Sequence, residues 1–213
     1  MSAKAVFCSM VLLLSGCALP LPDKPVRPAA YDLGPPLAAP ADAARGASLA
    51  FDGVEAPAAI DTNAIVYRLL YAGGSQQPRP YAQARWSMAP AQLVGQRLRA
   101  ALAATHPVLD SGSGLAVLEM RAELDEFAQV FASPEASEGV VRLRVTVTAP
   151  QARQGRLLGQ RSFVQRVPAP TPDAAGGAQA LREATDALVR EVVDCEHAAG
   201  AAVVMAGQRA KFF

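Results

Sequence analysis

The sequence predicts an α+β fold: a two-layer sandwich of a mainly antiparallel sheet, about five to six strands, with two amphipathic helices on one face. Three observations predict it. Apolar and polar residues alternate in three segments of the second half, the period of a half-buried strand. The connections between those segments are too short for a parallel crossover, which needs a dozen or more residues. Two further stretches repeat apolar residues at three- and four-residue spacing, the pattern of a helix with one buried face.

In chain order, Leu49 to Val54, ended by Ala56-Pro57, reads as a short strand, and Ala64 to Tyr71 as a second. Residues 72–80 (AGGSQQPRP) read as a loop. Tyr81 to Trp86 is a third strand, ending where Ser87 and Pro90 announce a helix that continues to about Ala104. Val94, Leu98, Ala101, Leu102 and Thr105 share one face of it, with Gln92, Gln96, Arg97 and Arg99 elsewhere. After the break at Pro107 and Gly112-Ser113-Gly114, Leu118, Met120, Ala122 and Leu124 alternate with Glu119, Arg121, Glu123 and Asp125. Val140 to Ala149 and Leu157 to Val167 do the same, and the connections at 132–139 and 150–156 make a meander of the three. Glu119 and Glu123 are expected across from Arg142 or Arg144 on the wet face, each pair contributing roughly 0.2 to 1 kcal/mol. A long helix starts near Asp173, with Ala178, Leu181, Thr185, Leu188, Val192 and Cys195 on one face. Residues 201–213 carry no decisive pattern.

The start of the chain is organised differently. Lys4 precedes a weakly polar to apolar run from Ala5 to Leu14, followed by Leu14-Ser15-Gly16-Cys17, the layout of a signal peptide over residues 1–16. A run of about ten residues spans only about 15 Å as a helix, roughly half a bilayer's hydrocarbon thickness. The four-residue pattern resembles the bacterial lipobox, which implies that Cys17 becomes the lipidated first residue of the mature chain. Three acyl chains on one residue give a durable anchor where a single chain gives a marginal one. Ala18, rather than Asp, follows Cys17; in the sorting rule of many Gram-negative lipoproteins that this pattern resembles, this favours the outer membrane. Seven prolines between Cys17 and Arg45 rule out a helix or a sheet interior there. Residues 17–30 read as a lipidated, proline-rich tether, whose residues 18–30 reach about 40 Å at roughly 3.1 Å per residue. Residues 31–200 read as one periplasmic domain and 201–213 as a tail.

Without residues 1–16 the chain loses Lys4 from its 20 basic side chains and balances its 19 acidic ones. That balance excludes a nucleic-acid partner, which demands a dense basic surface. Once Cys8 leaves with the signal peptide and Cys17 carries lipid, Cys195 alone remains, so no intrachain disulfide is available. No catalytic constellation is legible. His106 sits in a Thr-His-Pro turn, and Cys195 and His197 point about 200° apart on a helix, the wrong geometry for a mutual hydrogen bond. Cys195 reads as a small core residue and His197 as a solvated helix-end cation. Three or four ligands at close spacing for a metal are absent from the pattern, and Gly73-Gly74 and Gly176-Gly177 lack the lysine and spacing of a phosphate loop. No cofactor is expected. What remains is binding: Tyr67, Tyr71, Tyr81 and Trp86 cluster in the first half, and aromatics serve both cores and interface hot spots. Core is the better reading for Tyr67 and Trp86, whereas Tyr81, preceded by the Gln-, Pro- and Arg-rich loop, stays open.

A family resemblance lies on the same residues. Tyr31-Asp-Leu-Gly34, Ile65-Val-Tyr67-Arg68, and Tyr81 with Arg85-Trp86, Pro90, Leu93 and Leu98, all preceded by a lipobox, resemble the auxiliary lipoprotein family of ABC-type transporters of the MCE lipid-transport class. The resemblance spans roughly residues 31–195, and its most specific part is Arg85-Trp86 with a proline four residues on. It implies a non-enzymatic outer-membrane lipoprotein that docks a periplasm-spanning MCE-domain assembly with its ABC ATPase and permease. It also implies that Tyr31 to Gly34 belong to the folded domain, and it makes Tyr31, Tyr67, Arg68, Tyr81, Arg85, Trp86 and Pro90 candidate core or partner-binding residues. Homo-oligomerisation is compatible with this reading. A competing expectation is an outer-membrane lipoprotein that binds and activates a peptidoglycan synthase, for which the tether is short.

Overall fold

The computed structural model describes residues 27–35, 46–150 and 155–209. The signal peptide and lipobox, Cys17, most of the tether and residues 210–213 lie outside the described residues, as does the side chain of His197. The elements in order are β1 (Ala29–Tyr31), β2 (Leu49–Ala50), β3 (Val54–Glu55), β4 (Ala64–Leu69), β5 (Gly74–Trp86), α1 (Pro90–Ala103), β6 (Val108–Leu109), β7 (Leu118–Phe131), β8 (Ser137–Ala149), β9 (Arg156–Pro168) and α2 (Ala174–Arg209).

The expected sheet of five to six mainly antiparallel strands is overturned. The structure holds nine strands in one mixed sheet. The β7–β8–β9 meander and the β4–β5 pair are antiparallel, but β2, β3 and β4 each run parallel to a different stretch of β7. Parallel ladders also join β1 to β5 and β2 to β6. The reason is topological. Period-two alternation marks a strand without naming its partner, and short connections speak only for consecutive strands. β4 reaches β7 by a crossover that contains α1, so this pairing had no local signature.

Two further departures have local causes. The expected strand 49–54 is split into β2 and β3 at Gly53, whose φ of 142° is a conformation other residues rarely adopt. Residues 72–80, expected as a loop, are mostly strand, because β5 starts at Gly74. Pro78 and Pro80 are tolerated since β5 pairs with β1 only at Ala84, Arg85 and Trp86. Ahead of Ala84, β5 is an edge strand, where a missing N–H costs no ladder bond.

Both helices cover one face. Pro90 begins α1, where its missing N–H leaves nothing unsatisfied, and Val94, Leu98 and Leu102 are fully buried. They meet Leu118, Met120, Ala122 and Leu124 of β7 and Val141, Leu143, Val145 and Val147 of β8, with Leu181, Leu188 and Val192 of α2 in the same core. α2 continues to Arg209 and so takes in residues 201–209 of the expected tail.

Asp173 starts α2. Its carboxylate accepts hydrogen bonds from the Gly176 amide and the Thr171 hydroxyl, both at 2.8 Å, and the Gly176 bond first, then the Thr171 one, hold it below the usual carboxylate range. Asp173→Ala should cost about 1 kcal/mol at neutral pH. A depressed carboxylate stabilises the fold above its unfolded pKa, about 3.9, and loses that contribution as pH falls through the folded value. Urea denaturation across this range should therefore show the variant and the parent converging in acid.

On the other face, Glu123 lies opposite Arg144 in register, with ion pairs from Arg144 to Glu123 at 3.3 Å and to Asp125 at 2.8 Å. Glu126 takes Arg142 at 3.5 Å. Glu119 faces Thr148 and pairs instead with Arg121 of its own strand at 3.4 Å. These exposed pairs set register more than they stabilise.

Candidate functional site

The family-motif residues fall in three places. Tyr31 on β1 stands in register with Trp86 on β5, and the Trp86 ring is buried edge-on against Phe127, centroids 5.4 Å apart. Nearby, the rings of Tyr67 on β4 and Tyr81 on β5 lie 4.7 Å apart, with Phe131 edge-on to Tyr67 at 5.9 Å. The Tyr81 hydroxyl donates to Gln129 Oε1 at 2.8 Å, and Gln129 Nε2 donates to Ser137 Oγ at 2.8 Å. Burial first, then Tyr67 and Asp173, push the Tyr81 phenol up to about 12, so it remains a hydrogen-bond donor throughout the physiological range. Tyr81, open in the sequence, is thus tied to the core.

The remaining motif residues serve other surfaces. Pro90 is buried at the start of α1 and Arg85 is exposed on β5. Arg68 alternates with the core-facing Ile65 and Tyr67 side and so points to the far face of the sheet. There it joins Ile60, Val66, Leu70, Pro78, Val130 and Arg166 around an open groove of about 350 Å³. Leu70 and the adjacent Tyr71 are each 48 % exposed. Asp125 and Glu126 complete the lining, and such a mixture of apolar and charged side chains is suited to contact with a partner.

Gln129 and Arg97 were not singled out by sequence reasoning. Gln129 is completely buried in the run Phe127-Ala-Gln-Val-Phe131; a lone amide among apolar residues was the available signal, because such a group must have buried partners. Arg97, expected away from the core-facing side of α1, is 5 % exposed. It lies four residues after Leu93 and three after Val94, on the buried stripe itself. Its guanidinium donates to the carbonyls of Leu33 and Pro35 and pairs through Nε with Asp186 of α2 at 2.9 Å. Burial pushes the Asp186 carboxyl up, more than Arg97, Arg182 and Arg190 pull it down.

The reactive side chains stand apart. His106 is buried with Nδ1 3.0 Å from the Ala47 carbonyl. Cys195 is half-buried at the margin of the core rather than inside it, its Sγ 3.8 Å from Arg161 Nη1. Among the described residues no three His, Cys, Asp or Glu side chains are grouped so as to hold a metal ion, and no helix is long and apolar enough to cross a membrane.

The fold, a mixed sheet backed by two helices, is similar to that of solved structures of low sequence identity. Protein XCC0632 from Xanthomonas campestris matches with a TM-score of 0.63 at 16 % identity, covering 84 % of this chain and 97 % of that one. An uncharacterised protein matches with 0.59 at 13 % identity (79 % and 97 % covered). The hypothetical protein CT253 from Chlamydia trachomatis matches with 0.51 at 10 % identity (74 % and 99 % covered). No curated protein matches the chain. The chain belongs to the family described as the ABC-type transport auxiliary lipoprotein component, whose model matches residues 31–193.

Proposed function

We propose that the protein is a non-enzymatic docking subunit of an MCE-type ABC transport system, fixed by acyl groups on Cys17 to the periplasmic face of the outer membrane. In this role it receives the periplasm-spanning MCE-domain protein, with its ATPase and permease, for lipid trafficking that maintains the envelope. The observation that carries this reading is the family match, which runs from β1 into α2 behind the Leu14-Ser15-Gly16-Cys17 sequence. The groove on the far face of the sheet, with Arg68 in its lining, offers a surface for the partner.

Affinity capture of the tagged full chain from native membranes should bring down an MCE-domain protein, an ATPase and a permease. Deleting the protein should raise outer-membrane permeability. Capture without any of the three, together with unchanged permeability, would refute the proposal, and capture dominated by a peptidoglycan synthase would replace it. Cys17→Ser should move the protein from the membrane fraction to the soluble one, because the anchor depends on that single thiol. Retention of the variant in the membrane fraction would show that something else holds it.

A further inference from the structure

We infer that Arg97 and Asp186 form a latch that seats the N-terminal arm, residues 29–35, against the two helices, and that the arm can leave the domain without unfolding it. The arm is held at three points. β1 forms a three-residue parallel ladder with the end of β5, and the Tyr31 carbonyl accepts the Ser87 amide at 2.7 Å. Leu33 is 4 % exposed in the core. Beyond it, the Leu33 and Pro35 carbonyls are taken by the Arg97 guanidinium, which Asp186 orients from α2 through the 2.9 Å ion pair.

The third point differs from the others in kind. Arg97 links the arm, α1 and α2 through polar contacts, and a planar fork that binds two carbonyls with a carboxylate oxygen 2.9 Å from its Nε has little freedom to do otherwise. When this contact breaks, the arm retains the buried Leu33, the half-buried Tyr31 ring, the Ser87 bond and a short edge ladder. The sheet loses only that edge strand, and the β7–β8–β9 meander keeps all of its ladders. Local opening at low cost is expected of such a terminal segment.

The consequence is a change of reach. Releasing residues 29–35 adds about 23 Å of chain at about 3.3 Å per residue, roughly half as much again as the tether ahead of it provides. The latch itself does not depend on the proposed function, whereas the effect on distance from the membrane rests on acylation of Cys17.

Hydrogen exchange on the full chain in detergent tests the latch whether or not Cys17 is acylated. Asp186→Asn removes the charge while keeping the shape, and Arg97→Lys keeps the charge while losing the fork. In both variants, exchange across residues 29–34 and at the Ser87 amide should accelerate about tenfold or more, with β7 and β8 still protected as in the parent. Unchanged exchange in the arm would overturn the latch. So would acceleration of the arm and of β7–β8 by the same factor, which would mean that the arm opens only when the whole domain does.

Discussion

Trp86→Ala should lower the unfolding free energy by about 4 kcal/mol, a large share of the stability of a domain of this size. The side chain is 1 % exposed, its ring packs edge-on to Phe127 at 5.4 Å, and its backbone lies opposite Tyr31 in the β1–β5 ladder. Deleting the indole leaves a cavity between the sheet edge and the core, and the two-stranded margin formed by β5 and β1 can collapse only partly into it. Denaturation by urea with tryptophan-independent detection, such as far-ultraviolet circular dichroism, measures the loss. A change below about 1 kcal/mol would mean that the ring is not an anchor of the core and would return Trp86 to the list of partner-binding candidates.

Gly139→Ala should cost about 3 kcal/mol through crowding rather than a cavity. A Cβ at residue 139 would stand 2.6 Å from both the Ala180 carbonyl carbon and the Leu181 amide nitrogen. These are backbone atoms of α2 and cannot rotate away, so the helix would have to lift from β8. Gly159→Ala is the control, since nothing lies within 4 Å of a Cβ there, and it should stay within about 0.5 kcal/mol of the parent. Equal effects at the two glycines would show that strand propensity, not helix approach, sets the cost at Gly139.

The parts of the fold that were legible in the sequence are those with local causes. The β7–β8–β9 meander follows from alternation and short connections, and α1 from Pro90 and the Val94, Leu98 and Leu102 stripe. The illegible parts depend on distant segments. Nothing within Leu49–Ala50 or Val54–Glu55 says that each lies parallel to a particular stretch of β7. Pro78 and Pro80 argue for a loop unless one knows that this stretch of β5 has a free side. The candidate site was legible as a set of residues but not as a geometry. Tyr67, Tyr81 and Trp86 turn inward, while Arg68, beside Tyr67 in sequence, turns to the opposite face. Gln129, which ties Tyr81 to Ser137, lies far along the chain and becomes visible only as a polar residue where burial should forbid one.

β9 has a neighbour on one side only, β8, and it is a full-length strand rather than a blunted stub. Such an edge invites pairing with an identical edge, most of all where copies are confined to one surface and collide repeatedly. β9 carries Arg156, Arg161 and Arg166 and no acidic residue, and it ends at Pro168. Two of these guanidiniums are committed to Glu191 and Glu138. An arriving copy would bring three more cations against these three, a like-charge contact that opposes pairing. The strand is thus a guarded boundary, a long open edge whose charge opposes its own copy.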